Sequence, residues 1–272
     1  PYTTLFRSVQ PPANAGRYLQ VEAAVRDGGA EFSARLLPVG GIHREQPYRR
    51  LLPLEQAAQR WLDEPVGHLE QAIPPEEKLR AALHGSAVAA LFNQVQLSHT
   101  GADISCTSLG NEPAGLAASV TMRAITAAYL FSNTLVVLEI TEEILRALLE
   151  RCASYFTLEN GTPRVSDAFL APKVEHYNYD FFAGISYQFD LRQPVGRRLT
   201  RLSRLDGTPL GPGPLRLCTS NYRATGTGGY DALRTCPVLW RGSVEMPELV
   251  AEYVRANSPV SLPCNGRMEA IW

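Results

Sequence analysis

Residues 134–140 read TLVVLEI, an unbroken apolar run that predicts a strand buried on both faces. Thr141 then caps a helix. Glu142 and Glu143 occupy its first turn, where they suit the helix dipole, and Ile144, Leu145, Leu148 and Leu149 supply its apolar face. Glu142 and Arg146 add an i,i+4 pair. Ile185, Tyr187, Phe189 and Leu191 alternate with polar neighbours, as do Leu215, Leu217 and Thr219, so both stretches predict strands. Asp206-Gly207 between them is a hairpin signal. Pro247 opens a helix over 247–255, at a position where proline fits.

Upstream, 18–25 and 32–39 predict two strands joined at Asp27-Gly28-Gly29. Two strands alone are not a stable unit, so they read as the tail of a larger sheet. Residues 40–50, with Gly40, Gly41 and Pro47, read as a linker, and 54–63 as a helix. Leu79, Leu83, Val88, Leu91, Phe92 and Val95 fall at helical spacing and predict one helix over 78–98. Asp103, Ile104 and Ser105 open an irregular segment containing Gly110, Pro113 and Gly115. The expected class is α+β, mixed sheets with flanking helices.

Composition narrows the partners. The chain has 272 residues, 45% of them hydrophobic, and a net charge of -1. Without a basic excess, no nucleic-acid duplex is expected as a partner. No run reaches the ~18 apolar residues of a membrane span, so none is expected. Five scattered cysteines, Cys106, Cys152, Cys218, Cys236 and Cys264, form no CxxC pair, which argues against a zinc site or a disulfide framework. His43, His68, His84, His99 and His176 stand in no metal-ligand spacing and read as surface or packing residues. No GxSxG elbow occurs, and the glycine-rich TGTGGY at 225–230 lacks the lysine of a phosphate loop. Residues 1–8, PYTTLFRS, match the translation of a common sequencing adaptor and are expected to be an artefact, with the true N-terminus and any export signal missing.

Four ordered segments go further: GADIS at 101–105, YLFSNTLVVLEITEEILRALLE at 129–150, YNYDFFAGISYQFDL at 177–191 and TSNYRATGTGGY at 219–230. Together they resemble the C-terminal domain of the 5′-nucleotidase family. The wording is closest to its 2′,3′-cyclic-nucleotide 2′-phosphodiesterase/3′-nucleotidase branch. The resemblance implies four parts: 1–8 the adaptor artefact, 9–44 the tail of a metallophosphoesterase domain, 45–65 a linker with helix, and 66–272 the substrate-binding domain. It implies a metal-dependent phosphohydrolase acting on 2′,3′-cyclic nucleotides and nucleoside monophosphates, exported to the periplasm, cell wall or medium. Two divalent metal ions would sit in the metallophosphoesterase domain, whose GNH and GHxH motifs are not in this sequence. No catalytic or metal-binding residue is therefore expected in this chain, which alone would be inactive.

By the same resemblance, Phe131 and Tyr222 supply two rings that stack on the base, with Asn133 and Asn221 beside them and Gly226, Gly228 and Gly229 letting backbone approach the ribose. Read by themselves, Phe131 is an ordinary core residue, Tyr222 a half-buried tyrosine, the two asparagines turn formers and TGTGGY a tight turn. Two departures argue against a plain 5′-nucleotidase. Gly228 stands where that branch has an aspartate, and Leu109-Gly110-Asn111-Glu112 lacks its arginine. The alternative is a non-catalytic nucleoside-binding or partner-binding module. A sugar-nucleotide or sulfur-ester substrate, or a purely structural domain, are further rivals.

Overall fold

The computed structural model describes residues 16–26, 29–40, 45–262 and 264–272. The adaptor-like residues 1–8, the turn residues Asp27 and Gly28, and His43 lie outside them. The chain divides into two compact units, residues 1–57 and 58–272. The first contains β1 (Arg17–Arg26) and β2 (Gly29–Pro38), antiparallel, with Arg17 opposite Pro38. Both strands leave apolar side chains in water; Val25 is 82% and Phe32 70% exposed.

Helix α1 (Glu45–Asp63) starts earlier than residue 54, where the sequence predicts it, and takes in part of the expected linker. Pro47 lies in its first turn, where the backbone N–H groups have no intrahelical acceptor, so the proline forfeits no bond there.

The second unit is built on a five-stranded mixed sheet in the order β13 (Val238–Glu245), β6 (Thr134–Ile140), β12 (Leu215–Ser220), β4 (Ile104–Ser108) and β9 (Asp180–Ala183). β12 and β4 run parallel, and the other neighbours are antiparallel. A second sheet orders β11 (Leu199–Arg204), β10 (Ile185–Asp190) and β14 (Arg267–Ile271). Short pairs join β3 (Pro65–His68) to β5 (Ser119–Thr121) and β7 (Phe156–Glu159) to β8 (Thr162–Val165). Around them pack α2 (Lys78–His84), α3 (Ala87–Thr100), α4 (Met122–Ala128), α5 (Glu142–Ala153), the one-turn α6 (Asn221–Ala224) and α7 (Met246–Asn257).

β6 matches the predicted strand, and its interior position explains the buried apolar run Leu135–Leu138. Thr141 caps α5 by accepting the Ile144 amide at 3.3 Å, and Arg146 pairs with Glu142 at 2.7 Å. Thr141→Ala is expected to cost about 1 kcal/mol of stability, read as a lowered urea midpoint at unchanged slope. No shift would mean water replaces the cap.

The structure departs from the pattern at three further places. The predicted 78–98 helix is two helices, because Gly85 takes φ +90° and breaks the first while Ser86 caps the second through the Ala89 amide at 3.2 Å. The segment opening at Ile104 is strand β4. Its polar residues hide it, since Ser105 is fully buried and satisfied by Asn93 Oδ1 at 2.9 Å. Asp206-Gly207 does turn the chain, with the Gly207 amide on Arg204 O at 3.0 Å, but β11 pairs with β10 and the next strand, β12, joins the other sheet.

The five cysteines are free, and four are buried. No helix among the described residues is long and apolar enough to cross a membrane.

Candidate functional site: an aromatic cleft at one end of the sheet

Strand direction brings the candidate residues together. β4 and β12 run parallel, so Ser108 and Ser220 end at the same edge of the sheet. β6 is antiparallel to β12 and begins there, just after Phe131 and Asn133. β9 is antiparallel to β4, with Asp180 opposite Ser108, so Tyr177 arrives at the same edge from the preceding loop. β12 passes directly into α6, which carries Tyr222. The result is a cleft of about 280 Å³ lined by Ser108, Phe131, Asn133, Lys173, Tyr177 and Tyr222.

Phe131 is half-buried and edge-on to two rings, Tyr129 at 6.2 Å and Tyr177 at 6.3 Å. Tyr222 is 42% exposed and packs on no other ring among the described residues. Asn133 donates from Nδ2 to Tyr129 Oη at 3.4 Å. Burial pushes the Tyr129 phenol up to about 12, so it stays neutral.

The remaining expected residues sit outside the lining. Asn221 folds back, its Oδ1 accepting the Tyr222 amide at 3.0 Å. Gly226, Gly228 and Gly229 all have positive φ, near +80° to +87°. The space of a Cβ at each is filled by protein: the Arg234 side chain at Gly226, Asn178 and Arg223 at Gly228, and Arg151 at Gly229. In this structure the glycines serve the packing of the loop.

What holds the loop is an ion pair that sequence reading missed. Arg223 and Asp180 are both buried, at 2% and 1% exposure. The guanidinium grips the carboxylate through Nε and Nη2, each at 2.8 Å. Its other donors reach Thr227 O at 2.6 Å and Tyr177 O at 3.0 Å, and its face covers the Tyr230 ring at 4.1 Å. One side chain thus ties together the glycine loop, the Tyr177 segment and the start of β9. Arg151 adds a bond from Nε to Gly228 O at 2.9 Å. Both ion-pair partners lie inside segments that carry the family resemblance, YNYD and NYRA, but their spacing along the chain does not show that they meet. Lys173 carried no sequence signal at all.

Lys78 is buried and donates to Leu109 O at 3.0 Å and Gly110 O at 3.4 Å. Burial pushes its ammonium down to about 7, opposed by Asp180. In the unfolded chain the same group titrates near 10.5. Between these values the unfolded state binds more protons, so the Lys78 contribution to stability rises with pH and is least favourable below about 7. Urea midpoints of the native chain relative to Lys78→Met are therefore expected to move in the native chain's favour from pH 6.5 to pH 9. A difference that stays flat contradicts a depressed ammonium. Nearby, His176 is pushed down by its burial and by Lys78, and its Nδ1 meets Tyr155 Oη at 2.7 Å.

Among the described residues no group of three or more His, Cys, Asp or Glu side chains is placed to hold a metal ion.

Fold and cleft define an α+β domain with a ligand-sized aromatic slot at the end of a mixed sheet. The chain belongs to the 5′-nucleotidase C-terminal domain family, whose model matches residues 65–235. It is 23% identical over 258 residues to the 2′,3′-cyclic-nucleotide 2′-phosphodiesterase/3′-nucleotidase of Haemophilus influenzae, covering 82% of this chain and 38% of that protein. It is 27% identical over 139 residues to the trifunctional nucleotide phosphoesterase of Bacillus subtilis, covering 46% of this chain and 9% of that one. A structure described as a 5′-nucleotidase from Staphylococcus aureus, in complex with alpha-ketoglutarate, matches with a TM-score of 0.81 and 27% identity, over 96% of this chain and 52% of that one. The chain thus spans about half or less of each of these proteins.

Proposed function

We propose that this domain binds the nucleoside part of a nucleotide and presents the phosphate ester for hydrolysis, within a protein that acts on 2′,3′-cyclic nucleotides and nucleoside monophosphates. The observation that carries this reading is that Phe131 and Tyr222, from distant parts of the chain, line one cleft of about 280 Å³. A planar heterocycle between two rings gains about 1–3 kcal/mol per stacked face, whatever the base. Asn133 and Ser108 on the lining supply polar contacts that fix orientation. This chain's residues contribute binding and alignment of the ester.

The whole protein would take two divalent metal ions on a separate metallophosphoesterase domain. When bound, such ions activate water and stabilise charge at phosphorus. The metal chemistry would belong to that other domain, and this chain would supply binding and alignment of the ester. The β1–β2 pair, with apolar residues exposed, suits the end of that domain's sheet. The same reading of the whole protein includes a periplasmic, cell-wall or secreted location.

Nuclear magnetic resonance tests the binding reading directly. Adding 3′-AMP is expected to shift the ring resonances of Phe131 and Tyr222 saturably, with Trp240, which lies outside the cleft, unmoved. Ring resonances that stay fixed at millimolar nucleotide would sink the reading.

A further inference from the structure

Stacking leaves one cation of the cleft unused. Lys173 lies on a loop pinned at two points: the Glu175 amide donates to Phe169 O at 2.8 Å, and Asn111 Nδ2 to Val174 O at 3.0 Å. Its Nζ donates to Tyr177 Oη at 3.0 Å, and that hydroxyl donates onward to Glu175 Oε1 at 3.1 Å. The ammonium thereby stands 5.3 Å from the centre of the Tyr177 ring, which itself meets Phe131 edge-on. Its bond to Tyr177 holds the ammonium above its ordinary value, so it is charged at neutral pH.

An ammonium has three N–H donors and no acceptor. Tyr177 takes one. Among the described residues, Lys173 has no carboxylate at ion-pair distance and no second hydrogen-bond acceptor. The other two face solvent beside a slot sized for a heterocycle.

We propose, resting on the stacking role above, that Lys173 selects the base: its two remaining N–H groups read the adjacent O6 and N7 acceptors of a 6-oxopurine, guanine or hypoxanthine, held between Phe131 and Tyr222. Lysine on this pair of acceptors is favourable because both face one donor-only group. Adenine puts an amino donor where O6 would be, so one N–H of Lys173 meets another donor and loses its partner. Pyrimidines have no imidazole ring and so no N7 beside an exocyclic oxygen. A phosphate would also attract an ammonium, but Lys173 stands 5.3 Å from the centre of the Tyr177 ring, which lines the slot, and this favours the base.

The test is calorimetric titration of the native chain, Lys173→Met and Lys173→Arg with guanosine, inosine and adenosine. In the native chain, guanosine and inosine are expected to bind about tenfold more tightly than adenosine. Inosine lacks the 2-amino group, so its agreement with guanosine isolates O6 and N7. The ratio should fall to about one in Lys173→Met and return in Lys173→Arg, which keeps two donors. Equal native affinities, or a preference that Lys173→Met retains, overturns the proposal. So does a loss in Lys173→Met confined to 3′-AMP and 3′-GMP and absent for their nucleosides, which makes Lys173 a phosphate contact. Native chain that binds no nucleoside at all defeats the stacking role, and is distinguishable because there is then no ratio to compare.

Discussion

Asp180→Ala is expected to destabilise the domain by about 3–5 kcal/mol, enough to remove a large part of the stability of an ordinary domain. The size of the effect comes from what is left behind. Arg223 is nine-tenths or more buried, and without Asp180 its charge loses the group to which it makes two bonds of 2.8 Å. The bonds of Arg223 to Thr227 O and Tyr177 O would then be strained by a search for another counter-charge. The cost belongs to the orphaned charge, because an intact buried pair adds little net stability once desolvation is subtracted. Removing both charges together, as in Asp180→Leu with Arg223→Met, should therefore recover much of the loss. Urea unfolding of the two single variants and the double variant checks this. Additive losses across the three would contradict it and assign the cost to packing.

Tyr222→Ala is expected to weaken nucleoside binding by about tenfold to a hundredfold, the loss of one stacked face, while leaving stability nearly unchanged. The ring is 42% exposed and stacks on no other ring among the described residues, so its removal opens no cavity in the core. Phe131→Ala should lower affinity similarly but also cost stability, because Phe131 packs edge-on against Tyr129 and Tyr177. The contrast between the two variants separates a ligand contact from a structural ring. Binding that survives Tyr222→Ala, or a Tyr222→Ala chain that unfolds early, would reverse the assignment.

Much of this fold was legible where one physical cause acted alone. β6 is apolar from Leu135 to Leu138 because it is interior, and the Thr141 cap with its acidic first turn marks the start of α5. β12 alternates as predicted, and Pro247 opens α7. Elements were lost where tertiary satisfaction overrode local pattern. β4 carries Ser105 and Thr107 into the interior, which is tolerable for Ser105 only because Asn93 answers it. The helical spacing across 78–98 continues through Gly85, so the break lay in a backbone dihedral that the apolar spacing does not report. At the cleft, Phe131, Asn133 and Tyr222 came from the family resemblance, and the structure gathers all three. Asn221 and the glycines belong to the same segment but answer to local turn and packing demands. Lys173, Tyr177 and the Asp180–Arg223 pair depend on which strand ends meet, and spacing along the chain does not contain that.

The decisive measurement is calorimetric titration of the purified chain with adenosine and 3′-AMP beside Tyr222→Ala. Binding by the native chain that is lost or weakened at least about tenfold in the variant is the predicted result, and would establish the aromatic slot. Equal binding by both, or none by the native chain, would contradict it.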